Sequence, residues 1–287
     1  MKRKKVIGLC IALVLVLGTL AACTSGAPAA SPAGTAATTA EAATIKISGS
    51  TSVFPLIDGL KDMFMAKNPN IKVQVEQGGS GVGIKNVNDG VVDIGMSSRD
   101  LKEDDPALVK TTLCLDGIAV VVHKDNTVAD LTIEQIAKIY NGEIMNWKDV
   151  GGKDAKITLI TRETTSGTRG AFEELVLGKD KHIDEAKTKA FVQNSTGQVA
   201  ASVEGDPNAI GYISLGVVGN YTGLKAVKVG GVQATEDNVK NNTYTISRPF
   251  LLLTKAEPAG AVKTFIDYVT TDQEALDFIA EEHYILK

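Results

Sequence analysis

Ile157-Thr158-Leu159-Ile160-Thr161-Arg162-Glu163-Thr164-Thr165-Ser166-Gly167-Thr168-Arg169 is the stretch on which the fold turns. Ile157, Leu159 and Ile160 read as a strand ending at Thr161-Arg162-Glu163. Ala171, Phe172, Leu175 and Val176 then recur at helical spacing. A strand therefore passes into a helix through a turn of hydroxyls and glycine, with an arginine at the strand's end.

The same unit recurs in both directions. Upstream, Ile45-Lys46-Ile47 alternates and runs through Ser48-Gly49-Ser50-Thr51 into Val53, Leu56, Ile57, Leu60 and Phe64 at helical spacing, with Pro69 ending the helix. Ile71, Val73 and Val75 read as a strand with Lys72, Gln74 and Glu76 on its other face. The turn Gly78-Gly79-Ser80-Gly81-Val82-Gly83 leads into a short helix carrying Ile84 and Val87. Val91 to Met96 and Gly117 to Val122 read as buried strands, and Ile133, Ile136, Ala137 and Tyr140 as a helix. Downstream, Ala209 to Ser214 and Pro249 to Thr254 are strands, followed by helices on Val262, Phe265, Ile266 and Val269 and on Ala275 to Glu281. Strands alternating with helices indicate an α/β fold with mainly parallel sheets. No repeat of fixed period is visible.

Three of these turns share one chemistry: Ser50-Thr51-Ser52, Gly79-Ser80-Gly81 and Ser166-Gly167-Thr168. A helix start leaves backbone N–H groups unpaired and carries the positive end of the helix dipole, which suits an anion. Glycine admits close approach, and hydroxyls add donors without charge. Arg162 offers a planar fork to two oxygens of an oxyanion. Each turn alone is explained as an ordinary Ser/Thr cap, and Arg162 beside Glu163 as a surface ion pair. Three such turns and an arginine at strand ends point to a small-oxyanion site, because ligands of open α/β sheets lie at the carboxyl ends of the strands.

The N-terminus sets the compartment. Lys2, Arg3, Lys4 and Lys5 precede an apolar run from Val6 to Leu17, then Leu20-Ala21-Ala22-Cys23. This is the pattern of a secretory signal, and the run is short for a membrane span of about 20 residues. Leu-Ala-Ala-Cys resembles the bacterial lipobox, so residues 1–23 are expected to be a lipoprotein signal with Cys23 the lipidated residue, palmitate being one acyl chain it would carry. Residues 24–43 are almost entirely Ala, Thr, Ser, Pro and Gly and read as a disordered tether. Cys114 is then the lone cysteine of the body, so no internal disulfide is available. Roughly 240 residues remain, enough for one large or two medium domains.

A formal net charge of −4 argues against a nucleic-acid partner. It does not oppose a small anion, which a local donor cluster can hold. Catalysis is disfavoured: there is no G-x-S-x-G elbow, P-loop or H-E-x-x-H, and His123, His182 and His283 fall in no motif. His182 and His283 are expected on solvated helices and His123 at a strand end. No clustered Cys/His set suggests a metal, and no cofactor is implied.

The sequence resembles the phosphate-binding proteins of bacterial ABC importers, the PstS family. The resemblance rests on Ile47-Ser48-Gly49-Ser50-Thr51-Ser52, Gly78-Gly79-Ser80-Gly81-Val82-Gly83, Asp93-Ile94-Gly95-Met96-Ser97-Ser98-Arg99 and Thr161 to Arg169. Ile139-Tyr140-Asn141-Gly142-Glu143-Ile144-Met145-Asn146-Trp147 and Ala209-Ile210-Gly211-Tyr212 also match. It implies a two-lobed periplasmic-binding-protein-like fold of type II. Lobe 1 would combine residues 44–120 and 249–287, and lobe 2 would be residues 121–248. Two hinge strands, near Gly117–Val122 and Ser247–Leu253, would join them. It further implies that Thr51, Ser52, Ser80 and Ser98 bind phosphate from one lobe and Arg162, Ser166, Gly167 and Thr168 from the other, with Glu163 steadying Arg162. The chain would act as a monomer, lipid-anchored on the outer face of the cytoplasmic membrane, and pass inorganic phosphate to membrane permease subunits.

Two departures bear on selectivity. Some members have aspartate where Ser98 stands, a carboxylate that accepts phosphate's proton and repels sulfate; serine both donates and accepts. Asp93 and Asp100 are nearby candidates for a substitute acceptor. Thr165 stands where many relatives have glycine, and threonine disfavours positive φ. Sulfate, molybdate or tungstate are therefore alternative ligands, and a sensor or adhesin that keeps the fold is a further one.

Overall fold

The computed structural model describes residues 42–286, so the signal, Cys23 and nearly all of the tether lie outside the described residues. Along the chain come β1 (Ala43–Gly49), α1 (Phe54–Lys67), β2 (Ile71–Gln77), α2 (Ser80–Asn88), β3 (Ile94–Ser97) and β4 (Val109–His123). Then follow β5 (Asp130–Leu131), α3 (Ile133–Tyr140), β6 (Thr158–Arg162), α4 (Gly167–Phe172), α5 (Glu185–Thr188), β7 (Phe191–Gln193), α6 (Thr196–Gly205) and β8 (Ala209–Ser214). The chain closes with β9 (Leu224–Ala226), β10 (Lys228–Val229), α7 (Glu236–Lys240), β11 (Ser247–Thr254), α8 (Gly260–Thr271) and α9 (Gln273–Glu281).

The strand order is β2-β1-β3-β11-β4-β8-β6-β7, with β9 also on β4. The wings are parallel, as helix-connected strands must be: β2 and β3 flank β1, and β7 and β8 flank β6. The centre is antiparallel, which departs from the mainly parallel expectation. β11 runs opposite to β3 and β4, and β4 opposite to β8. The reason is the path of the chain, which leaves along β4 and returns along β11.

Two large apolar cores, with a small satellite of Ile84, Val87, Leu251 and Leu253, follow from this layout. Ile45, Ile47, Leu56, Leu60, Phe64, Met96, Phe250, Leu252, Phe265 and Ile279 build one. Ile118 to Val122, Ile139, Trp147, Leu159, Phe172, Val199, Ile210 and Tyr212 are among those that build the other. Burying one such side chain contributes about 1.5–3 kcal/mol, so each core supports its own lobe. β4 belongs to both: Leu113 and Cys114 face the first core and Ile118 to Val122 the second. Its first part pairs with β11 and its second with β8. Burial pushes the free Cys114 thiol well above its ordinary range.

Some local expectations change. The apolar run from Val91 yields a strand only from Ile94, and Val91 is 59% exposed. Val91 and Val92 instead donate their N–H groups to Asn86 O, closing the end of α2 beyond Gly90, whose φ is 72°. His182 lies in a loop rather than on a helix, bonded to Glu173. His283 lies in the turn after α9 at φ 65°, bonded to Glu236. The helix expected through Val176 is α4 followed by one wider turn, Glu173–Leu177, with i to i+5 bonding.

Candidate functional site

β6 delivers Arg162 to the inner edge of its lobe, and the core beneath fixes it there. Phe172 stacks on Tyr212 with ring centroids 4.0 Å apart. The Tyr212 hydroxyl bonds Thr161 Oγ1 at 2.8 Å and accepts from Arg162 N at 3.3 Å. Burial raises the Tyr212 phenol to about 12, so it stays a neutral hydroxyl. Arg169 on α4 donates from Nη1 to the Arg162 carbonyl at 2.8 Å, and its own charge is met by Glu173 and Glu185. Both ends of the Arg162 peptide unit are thus held.

Arg162 is 1% exposed, so the pair with Glu163 is not the surface ion pair that sequence alone allowed. Nε and Nη2 each donate to a Glu163 oxygen at 2.8 Å, and Nε also reaches Gln193 O. Nη1 points the other way, to Thr196 Oγ1 at 3.3 Å. Arg162 therefore keeps one arm in a fork and offers the other to a hydroxyl cluster.

That cluster joins the two lobes. Ser52 Oγ lies 2.9 Å from Thr168 Oγ1 and 2.8 Å from Thr196 Oγ1. Thr51 Oγ1 lies 3.2 Å from Thr196 Oγ1 and accepts from Thr196 N. On the other side, Ser50 Oγ donates to Ser98 Oγ at 2.8 Å, and Ser80 Oγ lies 3.3 Å from Ser98 Oγ. Gly167 sits against this group so closely that a Cβ would fall 2.1 Å from Ser80 Oγ and 2.8 Å from Ser98 Oγ. Thr165 O accepts from Gly81 N at 2.9 Å, a further tie between the lobes, and Thr165 keeps a negative φ.

All eight residues expected from sequence are buried here: Thr51, Ser52, Ser80, Ser98, Arg162, Ser166, Gly167 and Thr168. Seven converge on the junction, whereas the Ser166 hydroxyl is spent capping α4 by accepting from Arg169 N. Asp93 and Asp100 lie apart: Asp93 accepts from Lys46 N, and Asp100 pairs with Lys110 in solvent. Thr196 and Ser50 were missed as site residues. Asn194-Ser195-Thr196-Gly197 before Val199, Ala200 and Val203 repeats the hydroxyl-glycine helix start of the other turns, so its signal was present.

The cluster is rich in donors, buried, and carries one forked cation, the composition that holds a tetrahedral oxyanion. A family model described as a PBP superfamily domain matches residues 34–273. The Bacillus subtilis phosphate-binding protein PstS is 33% identical over 246 residues, covering 84% of this chain and 80% of that protein. The chain belongs to the PstS family of phosphate-binding proteins. PstS-family likeness extends to solved structures. A Clostridium perfringens protein assigned as a phosphate ABC transporter substrate-binding protein, with bound phosphate, is 42% identical with a TM-score of 0.80, over 85% of this chain and 99% of that one. An ABC-type phosphate transport receptor from Vibrio cholerae is 39% identical with a TM-score of 0.71, over 85% and 100%. In PstS-family terms, the two cores are the two lobes of the periplasmic-binding-protein fold, and β4 and β11 are the strands that cross between them.

Proposed function

We propose that this chain is an extracytoplasmic solute-binding protein that captures inorganic phosphate between its two lobes and delivers it to an ABC importer. The observation that carries this reading is one buried, forked arginine meeting hydroxyls from both lobes, in a member of a phosphate-binding family. Thr51, Ser52, Ser80 and Ser98 donate from lobe 1, residues 44–120 with 249–287. Arg162, Gly167, Thr168 and the added Thr196 donate from lobe 2, residues 121–248, while Ser166 holds α4 in place. Hydroxyls that bond one another across the lobes can turn their protons to the anion's oxygens instead. The anion then ties the lobes through itself and favours the closed arrangement by as much as it contacts both.

Cys23 carries the lipid anchor, residues 24–43 tether the body to the outer face of the cytoplasmic membrane, and permease subunits receive the ligand from a monomer. Among the described residues no helix is long and apolar enough to cross a membrane. The curated relatives are phosphate-binding proteins rather than enzymes. Calorimetry on ligand-stripped protein tests the reading. Saturable 1:1 binding of phosphate, abolished or strongly weakened by Arg162→Ala, is expected; no phosphate binding in the parent chain overturns it.

A further inference from the structure

The segment that follows α9 does not stay in the lobe that holds α9. His283 takes φ 65° and turns the chain. Its N–H donates to Ala280 O at 3.1 Å, and the Tyr284 N–H to Ile279 O at 3.2 Å, the pair of bonds that closes a helix through a left-handed residue. Glycine takes such a position without a side-chain penalty. Histidine stands there instead, and its side chain reaches the other lobe: Nδ1 lies 2.7 Å from Glu236 Oε1 on α7.

The next two residues cross as well. The Tyr284 ring packs on Phe250 of the first core, with centroids 5.3 Å apart, and covers Gly216 in the helical turn Leu215–Asn220 after β8. It lies so close that a Cβ on Gly216 would fall 2.5 Å from Tyr284 Cζ. Ile285 exchanges two backbone bonds with Leu115 of β4, at 2.8 and 3.0 Å, and is buried in the second core. Leu286 packs back on the first. His283, Tyr284 and Ile285 thus tie α9 to α7, to the turn after β8 and to β4, the last tie falling beside Asp116 of the buried pair with Arg248.

We propose that His283–Leu286 is a third crossing between the lobes and that it favours their closed arrangement, through His283 on Glu236 and Tyr284 on Gly216. β4 and β11 are adjacent strands, and a pair of adjacent strands can bend and twist together. Contacts made by a third segment, formed while the lobes meet, oppose both motions and bias the balance toward closure. The consequence for affinity rests on the phosphate reading. Apparent affinity scales with the fraction of protein in the binding-competent arrangement, so loosening this crossing weakens capture without touching a cleft residue.

The test is amide hydrogen exchange on the full chain without ligand, paired with calorimetry using inorganic phosphate. Gly81 N donates to Thr165 O and Thr196 N to Thr51 Oγ1, each from one lobe to the other, so their protection reports closure. Amides of β1 and β8 report the stability of each lobe by itself. His283→Gly keeps the left-handed turn and removes the side chain. Glu236→Ala removes its partner, and Gly216→Ala pushes the Tyr284 ring away. Each variant should lower protection at Gly81 and Thr196, and raise the dissociation constant for phosphate, by about fivefold, with β1 and β8 unchanged. Unchanged cross-lobe protection and unchanged phosphate affinity in all three variants overturn the inference and leave phosphate capture intact. A loss spread evenly over β1, β8 and the cross-lobe amides also overturns it, since the segment then only stabilises the fold. Absence of phosphate binding in the parent chain overturns the functional reading instead, and exchange at Gly81 and Thr196 still decides the crossing.

Discussion

Arg162–Glu163 and Arg248–Asp116 are two of the buried arginine–carboxylate pairs among the described residues, and they differ in what surrounds them. Arg162 and Glu163 are neighbours in sequence, and the Glu163 side chain is 19% exposed. Arg248 and Asp116 lie 132 residues apart and directly opposite each other on β11 and β4, with side-chain exposures of 1% and 0%. The first pair has a partner that water can reach, so its arginine can be lent to a ligand. The second has none. Burial pushes the Asp116 carboxyl up against the pull of Arg248, and burial likewise lowers Arg248, so the pair is held by the fold at some cost. Ser214 Oγ donates to Asp116 from β8, which joins the pair to lobe 2. Among the described residues Arg248 Nη1 has no hydrogen-bond partner, which adds to that cost. In the proposed reading the first pair serves the ligand, while the second ties β4 to β11.

The largest expected effect breaks the hinge pair. Asp116→Ala leaves an arginine buried without a counter-charge and should lower stability by about 3–5 kcal/mol, read by urea unfolding. Asp116→Leu combined with Arg248→Met should recover most of that loss; if the double variant is no better than the single, the pair is a net stabiliser and the contrast drawn above is wrong. Arg162→Ala should behave in the opposite way. Phosphate affinity should fall by about 3 kcal/mol, more than a hundredfold, while the melting temperature moves little because Glu163 can hydrate. Equal losses of stability in the two alanine variants would erase the distinction. Gly167→Ala places a methyl group against Ser80 and Ser98 and should weaken binding by about 1–3 kcal/mol through the closed form alone, with unfolding of the ligand-free protein nearly unchanged. Thr196→Val should cost about 1 kcal/mol of affinity, one hydroxyl's share; no change there would remove Thr196 from the site.

The strands and helices that the sequence made plain are those whose apolar period is set by a single face. Ala209 to Ser214 coincides with β8, and Leu56, Ile57, Leu60 and Phe64 are the buried face of α1. Three of the four hydroxyl turns were visible because each follows a recognisable strand. The fourth escaped because β7 is only three residues long, with Phe191 and Val192 exposed, so no recognisable strand led into the helix start at Thr196. Asp116 and Arg248 look like charges breaking two apolar strands. Their meaning depends on register between segments brought together only by the return of the chain, which no local pattern records. Val91 shows the reverse error, an apolar residue whose backbone was needed to finish a helix.

The crossing of β4 and β11 also bears on how the molecule assembles. The second lobe draws its core almost wholly from one continuous stretch, Ile118 to Ile246, with Ile285 added at the end. The first lobe draws on two stretches that the second lobe separates, Ile45 to Cys114 and Phe250 to Tyr284. Lobe 2 can therefore collapse from its own contacts, whereas lobe 1 must close a long loop before its halves meet, and long-range closure slows folding. The early intermediate expected in refolding is a formed second lobe carrying two unpaired arms, whose exposed strands are the part most open to proteases and to pairing with a neighbour.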